Sequence, residues 1–379
     1  MLRNIAIKGY KSIRELDLEL KSINVLIGAN GSGKSNFISF FKLLRSMMQS
    51  QGELQLFIGQ SGGANSFLFD GASITSEVEA KLNFERDIVK TDFDKFEYSF
   101  TLFHAAADTF VFATEKYRAF LSLVGFWSGW KVLDSGHKES RLLDSIQLNT
   151  PERSFRNLMR DLVVYQFRDT SKTARFKQRW NVDDNQYLKE DAGNLAPFLL
   201  RLRENEPRYY QRIIETLAQI APFFTDFELI PSGNTVLLQW KEKGSDLIFS
   251  PDQASDGTLR AMALVALLLQ PIDNLPEVLI LDEPELGLHP YAINIIGGLI
   301  NSIANHCQVI LATQSTLLID CFEPEDIIVV ERNNRESSFK RLDEAELEEW
   351  LEEYPLSELW NKNIIGGKPD PTYENYVAP

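Results

Sequence analysis

Apolar positions repeat at two periods along the chain, and each period predicts a different kind of element. Leu2–Lys8 and Leu16–Leu20 alternate apolar and polar residues, which predicts a β-hairpin-like pair around Gly9–Ile13. Asn24–Ile27 is a short apolar run that predicts a buried strand, and Ser35 to about Met48 has helical spacing. Glu77–Phe84 and Phe96–Phe103 alternate again, which predicts a β-meander beside the first elements. From about residue 105 to 220 the period changes. Leu158, Leu162, Val163, Leu195, Phe198, Leu199, Leu200 and Leu202 recur at helical spacing and predict an inserted helical lobe. Beyond it, Asp226–Ile230 and Thr235–Trp240 predict a hairpin across a Pro-Ser-Gly-Asn turn, and Leu259–Leu269 a long apolar helix. Val278–Glu283, Gln308–Gln314 and Asp326–Glu331 predict buried strands, and an acidic helix over 343–353 follows. The expected organisation is α/β, with residues 1–104 and 221–379 as two halves of one head around a 105–220 lobe.

Composition narrows the class. The chain has 379 residues, 44% hydrophobic and 25% charged, as in a soluble globular protein. Its two cysteines make no disulfide framework or metal pattern, which fits a reducing compartment. No apolar run reaches about 18 residues and the N-terminus lacks a signal-peptide core, so a cytoplasmic location and no membrane partner are expected. The net charge of −15 excludes long-range attraction of the whole molecule to nucleic acid. Residues 151–180 are locally basic, with Arg153, Arg156, Arg160, Arg168, Lys172, Arg175, Lys177 and Arg179. That stretch reads either as a solvated face or as a contact for nucleic acid or an acidic partner.

The strongest chemical signal is Gly28–Ser35, a G-x-x-x-x-G-K-[ST] P-loop between a predicted strand and a predicted helix. A chance match is expected on the order of 0.01 times in a chain of this length. In such a loop the backbone N–H groups of Asn30, Gly31, Ser32, Gly33, Lys34, Ser35 and Asn36 curl around nucleotide phosphates, aided by the helix N-terminus. Lys34 reaches the phosphates and the Ser35 hydroxyl binds Mg²⁺. The Val278–Leu281 strand ends in Asp282 and Glu283, a Walker B pattern. Asp282 is then expected to hold Mg²⁺ through water, and Glu283 to polarise the attacking water.

The motifs together resemble SMC/RecF-like ABC ATPases. "GYKSIRELDLEL…INVLIGANGSGKSN" is similar to the opening of that group, "DEPELGLHP" (282–290) to its D-loop region, and "WLEEYPLSELWNKNIIGGKP" to the ending of compact bacterial RecF-like ATPases of the AAA-21 type. The specific resemblance covers roughly 1–60 and 250–368. It implies an ABC-type P-loop ATPase head with an N-terminal antiparallel β-subdomain, a mostly parallel core sheet and an inserted helical lobe. It places Ser255, Asp256, Gly257 and Thr258 at the signature, facing the γ-phosphate of a second protomer; the alternative is a plain capped helix. Asp256 stands where the first glycine of Ser-Gly-Gly is usual. Gln166, at the end of Val163–Tyr165, takes the place of the glutamine that contacts Mg²⁺ and the attacking water; the alternative is an edge-strand glutamine without a ligand. Gln314 stands where the family usually has His; hydrolysis is expected, either fast or slow, because an amide can bond the γ-phosphate or water but carries no charge.

The resemblance further implies an ATP and Mg²⁺ cofactor set, a homodimer closed by two nucleotides, and room for a higher oligomer. Four functions compete: an ATP-gated switch with a separately encoded effector, such as a nuclease, in anti-phage defence; a DNA-repair ATPase; a transporter subunit; and a non-catalytic scaffold. Heads of this kind often carry a fused Toprim nuclease, and the stretch after Ser315 is too short for one. The acidic tail from 341 either docks on its own domain through Trp350, Leu351, Tyr354, Leu359 and Trp360 or offers them to a partner.

Overall fold

The computed structural model describes residues 1–85, 93–121, 125–144 and 150–368. The last part of the acidic tail, 369–379, lies outside the described residues.

β1 (Leu2–Tyr10) and β2 (Ile13–Glu19) form the expected antiparallel hairpin. β3 (Ile23–Ile27) leaves that layer and leads through the glycine loop into α1 (Lys34–Gln49) and α2 (Glu53–Gln60). β4 (Glu77–Glu85), β5 (Phe93–Ala105), β6 (Thr109–Leu121), β7 (Phe126–Trp127) and β8 (Lys131–Val132) return to the first layer. It is a seven-stranded antiparallel sheet in the order β2-β1-β4-β5-β6-β7, with β8 also on β6.

The helical lobe expected from residue 105 therefore begins later. β6 is a 13-residue strand whose Phe110 and Phe112 enter the core, paired with β5 along nearly its whole length. Its period-two alternation outweighs the helical spacing found further on. Helix starts at α3 (Pro151–Arg160), capped by Thr150, whose hydroxyl accepts from the Arg153 N–H.

After α3 come β9 (Val163–Tyr165), β10 (Trp180–Asn181), α4 (Leu195–Asn205) and α5 (Pro207–Ile220). β11 (Phe224–Phe227), β12 (Thr235–Val236), β13 (Trp240–Glu242) and β14 (Ile248–Phe249) follow. The expected 226–240 hairpin forms only in part: β11 pairs with β13, while β12 turns away to pair with β10 at Trp180. The chain ends with α6 (Asp256–Leu268), β15 (Val278–Asp282), α7 (Pro290–Ile303), β16 (Gln308–Ala312), α8 (Thr316–Ile319), β17 (Ile327–Asn333), β18 (Glu336–Arg341), α9 (Glu344–Leu351) and α10 (Leu356–Asn361).

The second large sheet runs β18-β17-β3-β16-β15-β9, parallel except for β18. Both its faces are covered, which explains its unbroken aliphatic strands. Val25, Ile27, Leu279, Leu281, Val309 and Leu311 face the core shared with α4–α7. Leu26, Val278, Ile280 and Ile310 face the core shared with α1 and the antiparallel sheet. α1 is thus sandwiched between the two sheets. Phe40, fully buried, meets Tyr10 edge-on at 5.1 Å and stacks on Phe100 at 6.4 Å.

The acidic tail docks on its own domain. Leu347, Leu356, Leu359 and Trp360 are buried against the α4–α7 core, and Trp350 stays exposed. After α10 the Gly366–Gly367 turn comes against the glycine loop: Gly367 donates from N to Glu331 Oε1 at 2.9 Å, and a Cβ on it would lie 3.4 Å from the Gly28 Cα.

Glu152 in α3 ties that helix to the antiparallel sheet by accepting from Tyr117 and Lys131. Burial alone would raise its carboxyl; the two donors outweigh burial and hold it at about 2. A depressed carboxyl contributes stability above its ordinary value and loses it as pH falls toward the folded value. We expect Glu152→Gln to lower the melting temperature near neutral pH. Its deficit should shrink between about pH 4.5 and 2, and an unchanged deficit over that range would rule out the carboxylate as the source.

Candidate nucleotide site

The site is assembled at the carboxyl ends of neighbouring parallel strands, where open α/β sheets place ligands. β3 delivers the P-loop. Gly28, Gly31 and Gly33 have φ of 150°, 79° and 118°, which L side chains rarely adopt. The loop is also boxed in from behind. A Cβ on Gly28 would lie 2.2 Å from the Val330 carbonyl oxygen, and one on Gly33 would lie 2.1 Å from Ser337 Oγ. Ser337, buried in β18, donates to the Ser32 carbonyl at 2.5 Å and also contacts Ser12 Oγ at 2.7 Å. Lys34 is 5% exposed and its ammonium donates to the Gly28 and Ala29 carbonyls at 2.6 and 3.1 Å. Burial pushes that ammonium below its ordinary value, against the pull of Glu283, Asp282 and Glu285. Ser35 is exposed at the start of α1, and Asn36 donates to Ser12 Oγ at 2.7 Å.

β15 delivers the carboxylates. Asp282 is 6% exposed, and its carboxyl is raised by burial and by Glu283, with Arg168 opposing. Its Oδ2 accepts from Gln166 Nε2 at 2.7 Å and Arg168 Nη2 at 3.1 Å. Its Oδ1 is buried with no hydrogen-bond partner. Glu283 takes left-handed backbone, φ 51°, an uncommon cost for a non-glycine residue. Its Oε1 accepts from Gln314 Nε2 at 2.8 Å, and its Oε2 lies 3.0 Å from Arg168 Nη2. Gln314 follows β16, the strand beside β15, so the register of the two strands sets this contact. The P-loop, Asp282, Glu283, Gln166 and Gln314 thus end at one place.

Over residues 23–320 the chain matches the model of the family described as "AAA domain, putative AbiEii toxin, Type IV TA system". The chain belongs to this family. No curated protein matches it. Among solved structures it is similar to an SMC head bound to the C-winged helix domain of ScpA, at 15% identity and TM-score 0.58, covering 93% of this chain and 99% of that one. It is also similar to an SMC head with an extended coiled coil bound to the C-terminal domain of ScpA, from Pyrococcus furiosus, at 14% identity and TM-score 0.54, covering 93% and 98%. The fold is that of an SMC-type ABC ATPase head.

In this AAA-family chain the 255–258 segment starts α6. The Ser255 side chain caps the helix by accepting from the Thr258 N–H at 3.1 Å, and Ser255 and Asp256 are exposed. Gly257 packs against the D-loop so closely that a Cβ would stand 2.2 Å from the Gly287 carbonyl oxygen. Arg260, one turn on, donates to the carbonyls of Phe167 (2.9 Å), Arg168 (3.1 Å) and Leu286 (3.1 Å). Its guanidinium thus ties α6 to the Gln166 loop and to the loop at Leu286 through their backbone carbonyls. His289 caps α7, accepting from the Tyr291 N–H at 3.3 Å, and among the described residues no cluster of metal-ligating side chains surrounds it.

Two expectations change. Gln166 reaches Asp282 through its amide nitrogen; its oxygen accepts from Lys42 Nζ at 3.1 Å, which fixes the amide's orientation. A role as oxygen ligand requires that amide to turn. Arg168 does not belong to a surface basic patch, because its guanidinium spans Asp282 and Glu283. Arg175 is drawn to Asp191 at 3.5 Å and to the Trp180 face at 5.9 Å, so these two of the eight basic residues are held in separate contacts.

Sequence reasoning missed Lys42, Glu285, Arg260 and Ser337. Lys42 sits two turns beyond Lys34, on the face that carries Ser35 and Ile38, and helical spacing could have found it. Glu285 accepts from Thr313 Oγ1 at 2.6 Å and the Gln314 N–H at 3.0 Å, and burial raises its carboxyl. Arg260 and Ser337 act on backbone far away in sequence, which no local pattern signals.

We expect Gly257→Ala to cost about 1–3 kcal/mol of stability, the usual range for overpacking. Its faster amide exchange should centre on Leu286–His289. A urea transition that matches the parent's would mean the Gly257–Gly287 contact is not tight.

Proposed function

We propose that the chain hydrolyses Mg-ATP slowly and works as an ATP-gated dimeric switch with a separately encoded effector, such as a nuclease, in bacterial anti-phage defence. The observation that carries this reading is the buried, unpartnered Asp282 Oδ1 among Lys34, Glu283, Gln166 and Gln314. An orphaned carboxylate oxygen in such surroundings fits a dication better than a merely structural strand end. The donor set of hydroxyl, carboxylate and amide is all oxygen, as magnesium requires.

In this reading Lys34 leaves the Gly28 and Ala29 carbonyls for the phosphates. Ser35 and Asp282 hold the metal, with Gln166 turned to join them. The metal supplies neutralisation of charge on the transferring phosphoryl group. Glu283 accepts the proton of the attacking water, and Gln314 holds its Oε1 in place. Gln314 is also a neutral donor toward the γ-phosphate, which fits a slow rate.

The exposed 255–258 helix start of a second copy closes over the nucleotide, giving a twofold pair with two shared sites. Hydrolysis then weakens the pair. The solved heads titled as bound to ScpA domains support a head that works with another chain, and the toxin named in the family description supports a role in defence.

Lys34→Ala is expected to abolish nucleotide binding; unchanged affinity by calorimetry would remove the P-loop from the scheme. Glu283→Gln should trap an ATP-bound dimer in light scattering, and a strict monomer at saturating ATP would count against the shared site. Ser255→Arg should block dimerisation while each monomer still binds ATP. Mass spectrometry of proteins retained by the Glu283→Gln variant with ATP is expected to find a nuclease. Retention of DNA-repair factors alone would favour the repair reading.

A further inference from the structure

Three cations surround the carboxylates, and their contacts differ. Lys34 is spent on the Gly28 and Ala29 carbonyls. Lys42 is spent on Gln166 Oε1. Arg168 alone, among the described residues, touches both carboxylates: one nitrogen, Nη2, lies 3.1 Å from Asp282 Oδ2 and 3.0 Å from Glu283 Oε2. That is the bridging position between two carboxylates that a single positive centre takes up.

The two ends of Arg168 are held differently. Its carbonyl, and that of Phe167, are pinned by Arg260. Its side chain is 42% exposed, against 5% for Asp282. The side chain can therefore swing into solvent while the backbone keeps its place. Only the Arg168 end of the pair is open to solvent, so its guanidinium regains water when it leaves. The carboxylates lose more, because like charges side by side and one of them buried need a counter-charge.

We propose that Arg168 is a resident counter-ion of the Asp282–Glu283 pair that a divalent cation has to displace, so that the site takes up metal together with nucleotide and not ahead of it. The inference rests on the metal role given to Asp282 above. A free dication arriving alone competes with a tethered guanidinium that is always present at high local concentration. A dication arriving with a triphosphate brings the extra contacts of the P-loop, and those tip the exchange. Arg168 is thus a positioning residue: it holds Glu283 Oε2 while Gln314 holds Oε1. Its departure frees Glu283 Oε2 and leaves Asp282 Oδ2 with the Gln166 bond alone, beside the already unpartnered Oδ1. The loop at 166–168 thereby couples metal entry to a side-chain movement at the surface.

The experiment is Mn²⁺ binding to the full chain without nucleotide, followed by the loss of the free-ion electron paramagnetic resonance signal. The parent is expected to bind weakly. Arg168→Gln should bind about tenfold more tightly, equivalent to ~1.4 kcal/mol. Arg168→Lys, which keeps the charge, should stay close to the parent and confirm that the effect is charge and not folding. Arg179→Gln, on the exposed end of the same basic run, should change nothing. Equal or weaker Mn²⁺ binding by a folded Arg168→Gln protein would overturn the proposal. Adding Asp282→Asn to Arg168→Gln should abolish the gained affinity. Tight binding that survives Asp282→Asn would overturn the metal role of Asp282, a failure separate from that of the counter-ion.

Discussion

Two adjacent carboxylates at the end of a fully buried strand are a problem that the rest of the structure is arranged to solve. Asp282 and Glu283 repel one another, and burial takes away the water that would screen them. The contacts they accept come from a cation and neutral donors, Arg168, Gln166 and Gln314, and Lys34 and Lys42 act on Asp282 through the field, while Glu285 adds a third acid nearby. The left-handed backbone at Glu283 places the second acid beside the first, against its own conformational preference. Such strain persists only where the surroundings over-determine it, and here the register of β15 with β16 and the Gln314 contact supply that constraint.

The same constraint accounts for the architecture. Four parallel strands have to end in one place for a lysine from one loop, two acids from another and two amides from two more to meet. Strands buried on both faces, with α1 between two sheets, fix those ends more firmly than a half-solvated sheet would. Among the described residues, the antiparallel sheet contributes no side chain to the carboxylate cluster. It closes the core over α1, and its β1–β2 turn supplies Ser12 behind the P-loop.

Much of this was legible in the residues. The P-loop, the Asp282–Glu283 strand end and the Gln308–Ala312 strand have local patterns, because a glycine loop, four aliphatics before two acids and a buried strand each leave a trace within eight residues. Gln166, singled out by the family resemblance, lies beside Asp282, and it presents its amide nitrogen there. The stretch from 109 to 121 was misread because a helical period measured over 158–202 was carried back across a strand whose own alternation is clear. Arg168 was grouped with surface arginines because charge runs in sequence say nothing of which way one guanidinium turns. Arg260 and Ser337 left no signal at all: each bonds to backbone carbonyls, and a carbonyl is the same whatever residue carries it.

The contact between Gly257 and Gly287 has a consequence for how this sequence can change over time. The start of α6 and the loop at Gly287 touch without a side chain between them, a Cβ on Gly257 standing 2.2 Å from the Gly287 carbonyl oxygen. Gly257 cannot acquire a methyl group unless the Gly287 backbone retreats, and a Cβ on Gly287, at φ 76°, would press on Arg260 Nη1 at 2.7 Å; either change disturbs the arginine that holds the loop carrying Gln166 and Arg168. The two glycines are therefore one inherited unit, 30 residues apart, and descendants of this chain that lose one should have rebuilt the other and the arginine with it.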